Sequence, residues 1–426
     1  MSDQAILALV LFIIVYVFIV TEKIHRTIVA LAGAVLMLVF GILNQATAIH
    51  HIDFNTLGLL IGMMMMVAIT AETGLFNYIA IWSAKKVGGD PLKIFIILSA
   101  ITAIGSAFLD NVTTVLLIVP VTFSITRMLR VPPIPYLISE ILMSNIGGTA
   151  TMIGDPPNIM IGSAVKDISF IDFINQLTLI STLIGVVTIL ILAAIYRKQL
   201  STTEEAKLRL MGVDARKEIK DTKLLIKCLT ALTFTIIGFF IHQVVHLESA
   251  TVALFGAVLL LLLTGAKHLE HALVKVEWTT IFFFIGLFVL VGGLMETGVI
   301  DLFASSTVKI TGGDLTKSSF LILWMSAIAS AFVDNIPFVA TMIPMIKEMG
   351  AMGIQNLDPL WWSLALGACL GGNGTLIGAS ANVIVAGMAA REGHELSFLK
   401  FLKIAFPLMI LSIAISSVYI YFRYLI

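Results

Sequence analysis

The sequence predicts an all-α polytopic membrane protein made of two inverted repeats. Each repeat holds five transmembrane helices, one of them broken at the membrane midplane, and a re-entrant helical hairpin. Composition is the first observation: 59% of the 426 residues are hydrophobic, 12% are charged and the mean hydropathy is +1.04, too apolar for a soluble chain of this length. The second observation is an internal repeat, and the third is a pair of apolar stretches that Asp-Asn interrupts.

The repeat has an offset of 224 residues. AIGSAFLDN at 103–111 and AIASAFVDN at 327–335 share seven of nine positions. GGTATMIGDPPN at 147–158 and GGNGTLIGASAN at 371–382 share six of twelve. Glu-Thr-Gly also recurs, beginning at Glu72 and at Glu296. Two copies of one unit in a membrane chain are typical of transporters whose site opens to alternate sides of the bilayer.

Each half contains five apolar runs long enough to cross about 30 Å of hydrocarbon. In the first half they lie at about 5–21, 25–43, 55–83, 135–163 and 171–196, and in the second at about 224–245, 249–265, 278–306, 361–389 and 398–424. The run at 5–21 has no basic start and no small-residue cleavage site, so we expect a first span rather than a signal peptide.

Two further apolar stretches, 93–126 and 318–346, are interrupted at Asp110-Asn111 and Asp334-Asn335. We expect each to fold as a helical hairpin that enters and leaves on one face, although its arms could also nearly span. A carboxylate at that depth is costly, so it should face protein or water rather than lipid.

An odd number of crossings in each half makes the second copy lie upside down relative to the first. The predicted units are a first repeat at 1–196, a cytoplasmic linker at 197–223 and a second repeat at 224–426. With alternating loops, 21 of the 26 lysines and arginines fall on one side. The positive-inside rule makes that side cytoplasmic and both termini extracytoplasmic. We expect the basic linker to lie against anionic headgroups rather than to regulate transport.

The broken helices, 135–163 and 361–389, should hold the chemistry. A helix that stops and restarts exposes carbonyls at one end, which suit a small cation, and N–H groups at the other, which suit an anion or a polar solute. Asp155-Pro156 has the pattern of a helix N-cap followed by proline, and the second copy has Ala379 in place of Asp155. No lysine or arginine is expected among the site residues.

The predicted substrate- and ion-binding residues are Asp110, Asn111, Gly147, Gly148, Thr149, Thr151, Gly154, Asp155, Asn158, Asp334, Asn335, Gly371, Gly372, Asn373, Gly374, Thr375, Ser380 and Asn382. Asp110, Asp155 and Asp334 are the predicted proton- or cation-coupling groups. No cofactor and no transition-metal site are expected, and protons or sodium ions are the expected bound species. The structural alternatives are that the glycines permit close helix packing and that the aspartates cap helices. Glu72 and Glu296 are expected to be interface anchors.

At these motifs the chain resembles a known family. FLDNVTTVLLIVP with NIGGTATMIGDPPN, and DNIPFVATMIP with GACLGGNGTLIGASAN, are similar to the arsenite permease and sodium/proton antiporter group of the ion transporter superfamily, with wording closest to P-protein-like permeases. The resemblance implies two inverted repeats, a homodimer and an elevator-type motion that carries the solute past a fixed scaffold.

These features predict an ion-coupled secondary transporter of a small inorganic solute in the cell membrane, with arsenite or a related oxyanion as the family default. Sodium/proton exchange is the first alternative, cation-coupled transport of an organic anion such as a dicarboxylate or citrate is the second, and a passive channel is a remote one. We expect no enzymatic activity, since the acids are duplicated rather than paired once as in an intramembrane aspartyl protease. The chain has no nucleotide-binding P-loop, so any ATPase would be a separate partner. No nucleic-acid partner is expected.

Overall fold

The computed structural model describes residues 2–21 and 23–426, and no strand occurs within them. Nine helices in these residues are long and apolar enough to cross a membrane, and two shorter apolar helices accompany them. Every regular element is thus helical, as the composition predicts.

The first repeat contains α1 to α11, in which a π-helical turn at Ile174–Thr178 joins the last two helices. Their bounds are α1 Asp3–Thr21, α2 Arg26–Val39, α3 Gln45–His51, α4 Phe54–Glu72, α5 Leu75–Lys86, α6 Pro91–Phe108, α7 Asn111–Leu129, α8 Ile134–Thr149, α9 Pro156–Ala164, α10 Phe170–Phe173 and α11 Leu179–Tyr196. The linker forms a short helix, α12 Glu204–Met211, and a 3-10 turn, Ala215–Glu218.

The second repeat follows the same order. Its bounds are α13 Thr222–Ile241, α14 Ser249–Thr264, α15 Lys267–Lys275, α16 Trp278–Glu296, α17 Val299–Thr311, α18 Leu315–Phe332, α19 Asn335–Ala351, α20 Asp358–Gly371, α21 Ser380–Arg391 and α22 Phe398–Ile420, extended by a π-helical turn at Tyr421–Leu425. In each repeat the hairpin (α6–α7, α18–α19) precedes the broken helix (α8–α9, α20–α21).

The two repeats exchange contacts in matched pairs. Helix α4 packs on α14 just as its counterpart α16 packs on α2, and α7 packs on α21 just as α19 packs on α9. Within each repeat the first hairpin arm packs along the first half of the broken helix, α6 on α8 and α18 on α20. The elements α1, α2, α4, α8–α9 and α10–α11, and their counterparts, correspond to the five crossings that the sequence predicts for each repeat.

The apolar runs 55–83 and 278–306 each form two helices, α4 with α5 and α16 with α17. The first helix of each run ends at Glu-Thr-Gly, where Gly74 and Gly298 adopt left-handed backbone with φ of 80° and 73°, a conformation that glycine tolerates best. At Gly74 the missing side chain also admits the linker, because the carbonyl of Glu218 lies where a Cβ would stand. The backbone N–H of Lys220 donates to the carbonyl of Thr73 at 2.9 Å.

The glutamate of each Glu-Thr-Gly contacts a histidine of the opposite repeat. The Glu72 carboxylate lies 3.0 Å from Nδ1 of His268 and 3.2 Å from Nε2 of His271, both on or beside α15. The Glu296 carboxylate lies 3.0 Å from Nε2 of His51, at the end of α3. Both glutamates therefore lie at the contact between repeats, the position of interface anchors.

Candidate functional site

The two hairpins turn at residues that cap the second arm. The Asp110 carboxylate accepts hydrogen bonds from the backbone N–H of Thr113, at 2.8 Å, and from the Thr113 hydroxyl. The Asp334 carboxylate accepts one from the backbone N–H of Ile336 at 3.1 Å. Both aspartates are buried. Capping therefore positions each carboxylate at a hairpin tip, and it leaves further acceptor sites on the oxygens.

Asparagine side chains donate hydrogen bonds to backbone carbonyls in both helix breaks. The amide of Asn158 donates to the carbonyls of Thr149, at 3.1 Å, and Thr151, at 2.9 Å. At the matched position, the amide of Asn382 donates to the carbonyls of Gly372, at 2.7 Å, and Thr375, at 2.9 Å. Carbonyls that were predicted to be free for a cation are therefore already bonded, because each helix end needs partners for its last acceptors.

The threonines of the breaks fasten the unwound chain to nearby backbone. The hydroxyl of Thr151 donates to the carbonyl of Ala107, and the hydroxyl of Thr375 donates to the matched carbonyl of Ala331. Thr149 donates within its own helix, to the carbonyl of Asn145 at 2.7 Å. These contacts bind the breaks to the hairpin arms, so that hairpin and broken helix form one unit.

The glycines of the breaks permit close backbone approach. At Gly147 the backbone of Ala103 lies where a Cβ would stand, and at Gly371 the backbone of Ala327 does so. Gly148 and Gly154 pack on each other, Gly372 packs on Gly378 across its break, and Gly374 packs on the hairpin arm. These are the close contacts that the helix-packing alternative predicts for the glycines.

Amide side chains from both repeats meet at the centre of the fold. The amide of Asn145 donates to Oδ1 of Asn373 at 2.9 Å and of Asn382 at 3.0 Å. Its own Oδ1 accepts from the amide of Asn111 at 3.0 Å. The network joins hairpin α6–α7, both broken helices and thus both repeats. The residues that share this centre are fully buried or nearly so.

Asp155 stands at the N-cap of α9, but its side chain makes no capping hydrogen bond, which corrects the expected role. Instead its Oδ1 lies 3.4 Å from the amides of Asn111 and Asn335, one from each hairpin tip. Its Oδ2 is buried and has no hydrogen-bond partner among the described residues. An open acceptor of this kind calls for a proton or a cation.

A cavity of about 20 Å³ lies beside Asp155. Three acids line it, Asp110, Asp155 and Glu277, together with the amides of Asn111 and Asn335. A volume of this size holds about one water molecule or a bare ion. Its chemistry is that of a cation or proton site, since every charged group in the lining is a carboxylate.

A larger cavity, of about 290 Å³, lies on the other side of the second hairpin tip. Arg26, Asp334 and Ser380 line it. The guanidinium of Arg26 donates to the Asp334 carboxylate and lies 5.0 Å from the centre of the Phe283 ring. The hydroxyl of Ser380 donates to the same carboxylate at 2.9 Å. The expectation of a site without lysine or arginine was therefore wrong.

Arg26 could not be found from local pattern, because it stands 308 residues before Asp334 and meets it only through the packing of α2 on α16. Asn145 begins the quoted motif NIGGTATMIGDPPN but is not among the predicted site residues. Glu277 just precedes a predicted span. Asn145 is buried and the other two are half-buried, and their place in the site follows only from knowing which helices meet.

Comparisons with known proteins agree with this architecture. A family model described as citrate transporter matches residues 16–367. An uncharacterized transporter of Mycobacterium tuberculosis is 41% identical over 429 residues, which cover 99% of both chains. The P protein of Homo sapiens is 35% identical over 488 residues, which cover 95% of this chain and 58% of that protein.

Among solved structures, the YdaH transporter of Alcanivorax borkumensis superimposes with a TM-score of 0.60 and 13% identity over 98% of each chain. That likeness concerns the fold alone. The resemblance to P-protein-like permeases agrees with these matches, whereas none of the proteins named here singles out the arsenite permeases. The chain belongs to the citrate transporter family and is a membrane transporter.

Proposed function

We propose that this protein is a cation-coupled secondary transporter of a small carboxylate-bearing anion. One observation carries the proposal. The acid-lined cavity and the cavity that contains Arg26 both reach Ser380, so a cation site and an anion site adjoin at the tip of the second hairpin. This ranks the organic anion, an alternative in the sequence analysis, above the arsenite default.

The larger cavity offers three features that bind a carboxylate. Arg26 presents a planar guanidinium that can pair with two carboxylate oxygens. Ser380 supplies a hydroxyl and begins α21, a helix of 12 residues whose N-terminal N–H groups favour anions. A substrate carboxylate would compete with Asp334 for Arg26. The match to a model described as citrate transporter supports the same substrate class.

The smaller cavity supplies the coupling. An anion next to Asp110, Asp155 and Glu277 would be repelled unless those carboxylates are neutralised. A proton or a sodium ion in the smaller cavity removes that repulsion. Occupancy of the two cavities is thereby linked, which is what coupled transport requires.

The protein acts as a carrier rather than an enzyme, and we propose that it moves by an elevator mechanism. Hairpins and broken helices, joined through Thr151 and Thr375 to the hairpin arms, would move as one unit past the remaining helices. The cell membrane as location, the homodimer and the absence of a resident cofactor belong to the same proposal.

The test is uptake of labelled citrate into vesicles that contain the purified full-length protein, with an imposed sodium or proton gradient. We expect accumulation only with a gradient, and a loss of at least about tenfold in Arg26→Ala, since removing one partner of a charge pair costs about 2 kcal/mol or more. Arg127→Ala is the matched control, because Arg127 is exposed and pairs with Glu392. Absence of uptake for citrate and for a panel of other carboxylates would refute the proposal.

Sodium/proton exchange is the second candidate, and the size of the acid-lined cavity favours it, since about 20 Å³ admits an ion but no organic anion. The same vesicles distinguish the two. Proton movement driven by sodium without any anion would support exchange, and uptake of arsenite but not citrate would restore the inorganic solute.

A further inference from the structure

Glu140 is a buried acid outside both cavities. It lies in the first half of the broken helix α8, and only 1% of its surface is exposed. The hydroxyl of Thr122, on hairpin arm α7, donates to its Oε1 at 2.5 Å. Its Oε2 is buried and has no hydrogen-bond partner among the described residues.

No lysine, arginine or histidine on the described helices around Glu140 is placed to balance its carboxylate. The helices that pack on α8 are α6, α7, α11, α20, α21 and α22. Across residues 91–196 and 358–420, the buried faces of these helices and of α8 carry no lysine, arginine or histidine. The titratable side chains on those faces are Tyr136, Tyr196 and Cys369, and Asp110 and Asp155 cap α7 and α9.

An isolated carboxylate in such surroundings is very costly, whereas a carboxylic acid is not. A proton therefore has to neutralise Glu140 in this conformation. Burial alone is consistent with a structural role for Glu140. The matched positions of the second repeat show whether the fold requires a polar pair such as Glu140 with Thr122 at this place.

The second repeat lacks the polar pair. At the offset of 224 residues, Leu364 stands in place of Glu140 and Ile346 in place of Thr122, and both are fully buried. The matched place in the second repeat, where α19 packs on α20, thus holds two buried aliphatic side chains. Because aliphatic residues serve this contact at lower cost, the fold does not explain the acid in the first repeat.

We propose that Glu140 is a proton-binding site of the transporter, separate from the acid-lined cavity. It stands five residues before Asn145, about 7.5 Å along the helix axis, in the unit that holds both breaks. During the cycle a proton from water neutralises the carboxylate before the unit becomes buried, and the same proton returns to water on release. The proposal rests on the proposed coupled transport for this last step only.

The test begins with infrared spectroscopy of the purified full-length protein in vesicles, which needs no substrate. At neutral pH we expect a carboxylic-acid C=O band that is lost in Glu140→Gln. The band should persist in Ser139→Ala, which removes a buried hydroxyl from the adjacent position of the same helix. The variant T122I/E140L, which copies the second repeat, should fold and should also lack the band.

A spectrum of Glu140→Gln identical to that of the wild type would overturn the proposal, whatever the substrate proves to be. The second measurement is citrate uptake driven by a proton gradient. We expect Glu140→Gln to keep exchange of citrate for citrate and to lose accumulation against the gradient. Unchanged accumulation, with the band lost, would overturn the role in coupling and leave the proposed anion transport intact.

Discussion

At the scale of single residues, amides hold the centre of this protein together more than carboxylates do. Asn145, Asn158 and Asn382 each bond across a helix break or between repeats. An asparagine can donate and accept at once without carrying charge. The acids, by contrast, keep open acceptor positions, which makes them available for protons or cations.

Asn158→Ala should destabilise the protein by about 1–3 kcal/mol, because two carbonyls of the first break lose their donor while remaining buried. Thermal unfolding of the purified protein in detergent measures the change. Asn356→Ala is the control. Asn356 is exposed and bonds only the backbone of Asp358, so a shift of about 0.5 kcal/mol or less is expected there. Equal shifts would contradict the capping role of Asn158.

The two hairpin-tip aspartates should differ when each is neutralised. Asp334→Asn removes the acid that occupies Arg26, so the KM for citrate uptake should fall. Asp110→Asn removes an acid from the cation cavity, and the maximal rate should fall instead. The concentration dependence of uptake separates the two effects. A fall in KM in both variants would mean that Arg26 does not select the anion.

Sequence alone could identify these aspartates because Asp-Asn occurs at the same position in both repeats. It could not assign different partners to them. Arg26 begins α2, and its repeat counterpart is Ala250, so the difference between the tips lies in another helix. Such a difference is visible only when the packing of α2 against the second hairpin is known.

At the scale of elements, glycine interrupts the helices for two different structural reasons. Gly74 and Gly298 end helices by left-handed backbone, a conformation that composition and hydropathy do not register. The glycines at 147 and 371 are helical or adjacent to helix ends and are required by contact with a hairpin arm. The sequence predicted the hairpins and broken helices, since Asp-Asn and Gly-Gly mark them, and the repeated Glu-Thr-Gly marks the ends of α4 and α16 although the apolar runs continue beyond it.

Gly147→Ala should therefore destabilise the packing of α8 on α6 by about 1–3 kcal/mol, because the new methyl group would meet the backbone of Ala103. Gly387→Ala is the matched control within α21. No atom lies within 4 Å of its Cβ position, and alanine favours a helix interior by about 1 kcal/mol relative to glycine. The thermal unfolding midpoint should therefore fall in Gly147→Ala and rise in Gly387→Ala. A stabilised Gly147→Ala would show that α8 is not held against the hairpin arm.

At the scale of the whole molecule, the two repeats share architecture but divide the chemistry unequally. Arg26, Glu140 and Asp155 belong to the first repeat, where their counterparts are Ala250, Leu364 and Ala379. The second repeat contributes Asp334, Ser380 and Glu277, the last of which corresponds to Asp53. The repeats therefore share a fold but not a set of charged groups, so the two halves of the site differ in chemistry.

Orientation in the membrane is a property of the whole chain, and the charges predict it. The ten crossings predicted from the sequence would place both termini on one side and the linker on the other, where 21 of the 26 basic residues are expected. Cys228 and Cys369 are both buried, and replacing them by alanine provides a background for single-cysteine variants. Ser2→Cys and Ile426→Cys, at exposed termini, should react with an impermeant maleimide on intact cells. Thr203→Cys, exposed in the linker, should react only after permeabilisation. Labelling of one terminus without the other would disprove the count of ten crossings, and labelling of the linker alone would reverse the orientation.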